Sequence, residues 1–238
     1  MEVIIMNTAL IDEIIKTEWD MFQKVNEGGP RADCQDDPDT FDGMRRGQFM
    51  AWSEEALQSY RLDLLNAGLT GRNLVMEKYI NMMKFTNPED YKKLEGLLTF
   101  PSQKGIEDAE YVAWQMVRQT IPLHEKYPYV SGAGRPLYAT DDYKGTISIQ
   151  TYQRGELLTY SDKTLALLRA HLDALSAKGE SLARNILENS VMHYGYDSLD
   201  DAETRIRRRM EMYYPADESG FDCGGDCGDC GGGCDCCG

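Results

Sequence analysis

Apolar side chains recur every three or four residues along most of this chain, and each such stretch is bracketed by cap and stop residues. Leu165, Leu168, Leu172 and Leu175 form one apolar stripe. Ile4, Ile11, Ile14, Ile15, Trp19, Phe22 and Val25 form another over residues 3–25, stopped by Gly28, Gly29 and Pro30. Such a chain can bury its apolar surface only by stacking helices, so the pattern predicts an all-α fold.

Local signals place the remaining elements. Asp37 before Pro38 reads as an N-cap with proline at the first helical position, opening a short helix over 41–49. Ser53 caps a helix running to about Ala67 and ended by Gly68. A helix over 72–85 carries Val75, Tyr79 and Met82. Asn87-Pro88-Glu89-Asp90 starts one that ends near Phe100 and Pro101. The next carries Ile106, Ala109, Val112, Ala113, Met116 and Val117 and stops before Pro122. Ser161 opens the leucine stripe and Gly179 closes it. A helix with Leu182, Ile186, Leu187 and Val191 follows. Ser198 with Asp201 forms a capping box for the last helix, which reaches about Tyr213. About eight helices result. Prolines and glycines make residues 126–145 a long irregular loop, and the alternation of 146–149 reads as a short strand without a partner.

Composition changes abruptly near the end. Residues 223–238 comprise six Cys, seven Gly and three Asp, with nothing apolar and large. The organisation is therefore a helical domain over 1–217 and a separate Cys/Gly/Asp-rich tail over 218–238, disordered or ordered by metal. Cys34 is the one cysteine before the tail. A secreted disulfide framework would spread its cysteines through the fold, so a reducing, cytoplasmic location is expected. No targeting segment and no transmembrane run is evident. With 40 acidic and 25 basic side chains the net charge is −15. That disfavours nucleic acid and anionic membrane as partners, since both need a basic face.

The tail carries the clearest chemical signal. Cys223, Cys227, Cys230, Cys234, Cys236 and Cys237 are spaced closely enough for one glycine-rich loop to present several thiolates to one metal. Thiolates suit zinc, copper(I) and iron–sulfur clusters. The spacing matches no standard zinc finger or ferredoxin, so the metal stays open.

A second signal is a polar pocket assembled from distant segments. Glu18 lies on the stripe of Ile11, Ile14, Ile15, Phe22 and Val25, and a carboxylate on an apolar stripe is either ion-paired or protonated. Arg31, Arg45 and Arg46 are its candidate partners. Cys34, Gln35, Asp36 and Asp37 crowd one loop. The plainer reading there is that the acids cap the next helix and Cys34 packs inside. Gln48, Glu156 and Tyr160 can join the same pocket, and Arg135 can bind an anion. His124, His171 and His193 form no close pair, and no phosphate-loop, GxSxG or GxGxxG motif occurs.

Taken together, Glu18-Trp19-Asp20-Met21-Phe22, Asn26-Glu27-Gly28-Gly29, Cys34-Gln35-Asp36-Asp37 and Arg154-Gly155-Glu156-Leu157-Leu158-Thr159-Tyr160-Ser161 resemble the bacterial family catalogued as domain of unknown function 4125. The resemblance covers roughly residues 10–215 and leaves the tail outside. It implies a bacterial protein without a settled activity, associated in some gene contexts with nucleotidyltransferase-type domains. Three functions follow as expectations. The tail binds a thiophilic metal or iron–sulfur cluster; or the pocket around Glu18, residues 34–37 and Glu156 serves an enzyme or small-ligand binder; or the acidic surface engages a basic protein partner.

Overall fold

The computed structural model describes residues 2–25, 33–131, 135–142 and 147–213. Among them are eleven α-helices, three short 3-10 turns and no strand. The helices are α1 (Glu2–Phe22), α2 (Pro38–Met50), α3 (Glu54–Thr70), α4 (Leu74–Thr86), α5 (Pro88–Leu94), α6 (Gln103–Lys126), α7 (Pro128–Ser131), α8 (Ile149–Leu157), α9 (Asp162–Ala177), α10 (Leu182–His193) and α11 (Leu199–Tyr213). None is long and apolar enough to cross a membrane.

Side-chain caps set most of the starts. Asp37, Ser53, Asn73, Ser102, Ser148, Ser161 and Ser181 each accept a hydrogen bond from a backbone N–H three residues on. Ser198 Oγ caps α11, accepting from Asp201 N at 3.1 Å, but the Asp201 side chain reaches one residue past the cap and accepts from Asp197 N at 3.2 Å, so the expected box is only half formed.

Four further expectations need correction. First, α3 runs past Gly68 to Thr70, because the left-handed residue that closes it is Gly71, at φ 71°. Second, α6 continues through Pro122 to Lys126. Proline removes one N–H there, but Leu123 and Tyr127 on either side of the last turn are buried and hold it in place. Third, the helix begun at Pro88 ends at Leu94 in a 3-10 turn over Glu95–Leu97, and neither segment buries a residue to extend it. Fourth, Ile149 opens a helix rather than ending a strand. Ser148 caps that helix, accepting from Thr151 N at 3.1 Å, while Thr146 lies outside the described residues. The expected irregular loop is also broken up, by α7 and by a 3-10 turn at Ala139–Asp141.

One apolar core runs through the helices. It takes Ile14 from α1, Phe49 from α2, Leu57 and Leu64 from α3, Leu74 from α4, Val112 from α6, Leu157 from α8, Leu165, Leu168 and Leu172 from α9, and Val191 from α10. Glycines let several helices cross closely, α2 on α10 and α8 on α4 among them. α2 meets α10 at Gly47, where a Cβ would lie 2.2 Å from Ser190 Oγ. α8 meets α4 at Gly155, where a Cβ would lie 2.7 Å from Met82 Cγ and 3.1 Å from the Lys78 carbonyl oxygen. The second crossing brings residue 156 within reach of α4.

Candidate functional site

The site forms where α1, α2, α3, α4 and α8 converge. Glu18 follows Ile15 by three residues and precedes Phe22 by four, so the stripe that buries α1 also buries its carboxylate, only 2% exposed. Arg45 reaches it from α2 with two bonds, Nε to Oε2 at 2.7 Å and Nη2 to Oε1 at 2.6 Å. The same guanidinium turns Nη1 toward Glu156, at 3.0 and 3.1 Å from its two oxygens. Lys78 Nζ from α4 donates to Glu156 Oε2 at 2.6 Å. Two carboxylates and two cations thus form a buried, charge-balanced quartet.

Neutral groups complete it. Tyr60 OH donates to Glu18 Oε1 and Tyr160 OH to Glu156 Oε1, each at 2.6 Å, and the two rings lie 4.6 Å apart. Gln48 accepts from Arg45 Nη1 at 3.0 Å and donates to Glu156 Oε1 at 2.9 Å. Phe49 lies under the guanidinium, its centroid 4.7 Å from Cζ.

The charge states follow from this geometry. Burial alone would raise the Glu156 pKa, but the Arg45 and Lys78 charges, with hydrogen bonds from Lys78 and Tyr160, hold it well below the usual carboxylate range. Burial opposes the charge on Lys78, and Glu156 more than offsets it, so its pKa is raised. Burial, then the Glu18 charge for Tyr60 and the Glu156 charge for Tyr160, push both phenols far up. At neutral pH Glu156, Arg45 and Lys78 are charged and the two tyrosines are protonated.

A cavity of about 540 Å³ opens against this network. Apolar groups dominate its walls, with Phe22, Phe41, Met44, Val75, Ile186 and Leu187 among them. Outside the network its polar lining is Cys34, Asp37, Thr40, Tyr79, Thr120, His124, Ser131, Arg135, Tyr152, Gln153, Thr159 and Ser190. Burial lowers the pKa of His124. Lys78 Nζ lies 3.7 Å from the centroid of the Tyr152 ring, and Arg135 Cζ lies 5.0 Å from the same centroid. Arg135 also donates to the Ile147 carbonyl at 3.2 Å.

The residues singled out in the sequence separate into groups. Glu18, Arg45, Gln48, Glu156 and Tyr160 meet in the network. Tyr160 faces a smaller void rather than the main cavity. Arg46 is not the partner of Glu18, since it pairs with Asp42 and Asp12, and Arg31 lies outside the described residues. Cys34 is exposed at the cavity wall on a 3-10 turn, not packed inside. Asp37 caps α2 through Thr40 N at 3.0 Å. Gln35 is buried but closes the end of α1, donating to the carbonyls of Phe22 and Val25 at 2.8 and 3.2 Å. Asp36 is exposed.

Three members of the site escaped the sequence reading. Lys78 stands three residues from Val75 and four from Met82, so the stripe test that found Glu18 applies equally to it. Tyr60 stands likewise between Leu57 and Leu64. Tyr152 carries no comparable signal. Among the described residues, no group of three or more His, Cys, Asp or Glu side chains is placed to hold a metal ion. The six tail cysteines lie outside the described residues.

No curated protein and no solved structure matches the chain. A family model described as protein of unknown function (DUF4125) matches residues 8–204, and by that match, over the segment that contains the whole network, the chain belongs to the DUF4125 family.

Proposed function

We propose that this protein binds a small organic molecule in the cavity beside the quartet. One observation carries the reading: a space of about 540 Å³, walled mainly by apolar side chains, ends on a buried polar network whose charges are already balanced. That volume and that mixture suit a compact ligand with an apolar body. A neutral, hydrogen-bonded floor can face such a molecule without presenting an unpaired buried charge. The fixed ionisation of Glu156 and the protonated tyrosines make the network a rigid positioning element.

The test is a titration with N-phenyl-1-naphthylamine, an apolar dye that brightens in dry surroundings. Saturable brightening at one dye per chain is expected. Val75→Trp or Ile186→Trp should fill the cavity and remove it, with far-ultraviolet circular dichroism confirming that each variant stays helical. Unsaturable brightening, or equal affinity in both folded variants, overturns the reading.

A second reading rests on the sequence of the tail. Six thiols with one to three residues between neighbours, or none, favour capture of a thiophilic metal there, independently of the cavity.

A further inference from the structure

Resting on the cavity reading, we infer that the ligand is an organic anion, a carboxylate on an apolar body, held by Lys78 and Arg135 beside the Tyr152 ring. The quartet accounts for its own charges. Glu18 is taken by Arg45 and Tyr60, and Glu156 by Arg45, Lys78, Gln48 and Tyr160. Neither carboxylate has a cation left to seek.

The donors are not all accounted for. The Lys78 ammonium has three N–H groups. Glu156 accepts one, the face of Tyr152 lies against the group, and no other acceptor bonds it among the described residues. Lys78 is only 8% exposed, and it lines the cavity. Its remaining donors are thus available to a molecule in the cavity.

Arg135 stands against the same ring from another segment. Among the described residues its one hydrogen bond goes to a backbone carbonyl, and no carboxylate pairs with it. Two cations drawn to one aromatic ring repel each other. Glu156 offsets the charge of Lys78, and among the described residues Arg135 has no such counter-ion. A carboxylate seated between them balances the excess and accepts from both, and the planar guanidinium fork suits that shape. The apolar body then lies along Phe22, Val75, Ile186 and Leu187. A cationic or neutral head would leave Arg135 unbalanced.

The experiment is isothermal calorimetry on the full chain at neutral pH with decanoate, decanol and decylamine, which share one tail and differ in head charge. Decanoate is expected to bind about tenfold more tightly than decanol, the scale of one charge-assisted hydrogen bond, and decylamine more weakly than decanol. Arg135→Gln touches an exposed side chain outside the quartet. It should erase most of the decanoate advantage and leave decanol binding unchanged. Decanol binding as tightly as decanoate, or a preference untouched by Arg135→Gln, overturns the anion site while the cavity stands. Failure of all three compounds, together with failure of the naphthylamine dye, removes the cavity reading and this inference with it.

Discussion

Arg45 grips Glu18 through two near-parallel hydrogen bonds of 2.7 and 2.6 Å, joining α1 to α2 across 27 residues of sequence. Such fork-to-fork geometry fixes direction as well as distance. It leaves the third nitrogen of the guanidinium free to reach Glu156, which makes Arg45 the hinge of the whole network.

Removing one member should therefore cost more than removing a matched pair. Glu156→Gln strands Arg45 and Lys78 against a single carboxylate and is expected to destabilise the fold by about 3–5 kcal/mol. The combined change Glu18→Leu with Arg45→Met should cost less than the sum of its single changes, because neither partner is left charged and alone. Urea unfolding of the four proteins gives the coupling directly. An additive cycle would show that the pair acts independently.

Stability should fall on the acid side. The Glu156 pKa is depressed in the fold, so its contribution is complete above its ordinary value near 4.5 and drains away as pH drops toward the lower folded value. Lys78 is raised, so its contribution is complete below its ordinary value near 10.5 and is lost only as pH climbs through the folded value. The two leave a broad plateau between. Urea midpoints measured from pH 2 to 8 should decline below pH 4.5, and the decline should be shallower in Glu156→Gln.

Two glycine-to-alanine changes should have opposite signs. Alanine at Gly155 meets Met82 and the Lys78 carbonyl, so the crossing must open, at a cost of about 1–3 kcal/mol that exceeds the gain in helix propensity. Alanine at Gly68, inside α3 with nothing within 4 Å of the new Cβ, should stabilise by about 0.5–1 kcal/mol. Thermal midpoints of the two variants settle the comparison. Matching shifts would mean that the crossing of α8 over α4 is not tight.

The tail offers a test that leaves the helices intact. Purified without oxygen, the full chain should carry a thiophilic metal in stoichiometric amount, and a chain ending at residue 217 should carry none. Elemental analysis and the visible spectrum distinguish zinc or copper(I) from an iron–sulfur cluster. Equal metal in both forms would assign the ion to the helical body.

The helices were legible because each carries its own period and its own caps. Leu165, Leu168, Leu172 and Leu175 are all buried, as one stripe requires. Departures fell where burial outweighed local preference, at Pro122; where two stop signals competed, at Gly68 and Gly71; where no buried residue extended a helix, past Leu94; and where the Ser148 cap outweighed alternation, at Ile149. Glu18 was legible for the same reason as the leucines, and Arg45 as a cation that could reach it. Lys78 is hidden because a helical lysine usually faces water, so its place on the stripe of Val75 and Met82 does not mark it as buried. Gln35 sits next to Cys34 in the chain, yet its amide turns to the Phe22 and Val25 carbonyls at the end of α1, partners that no spacing reveals. Tyr152 and His124 reach the cavity through helix crossings, which one-dimensional periodicity does not encode.

Glu156 also sets an order of events during synthesis. Arg45 emerges from the ribosome with Glu18 already made, but the second carboxylate follows it by 111 residues. Lys78 emerges with no partner at all and waits 78 residues for the same group. Until α8 is translated, the first four helices carry surplus positive charge at the face they must bury, and closing over it would be costly. Translation of α8 supplies the carboxylate that removes that cost.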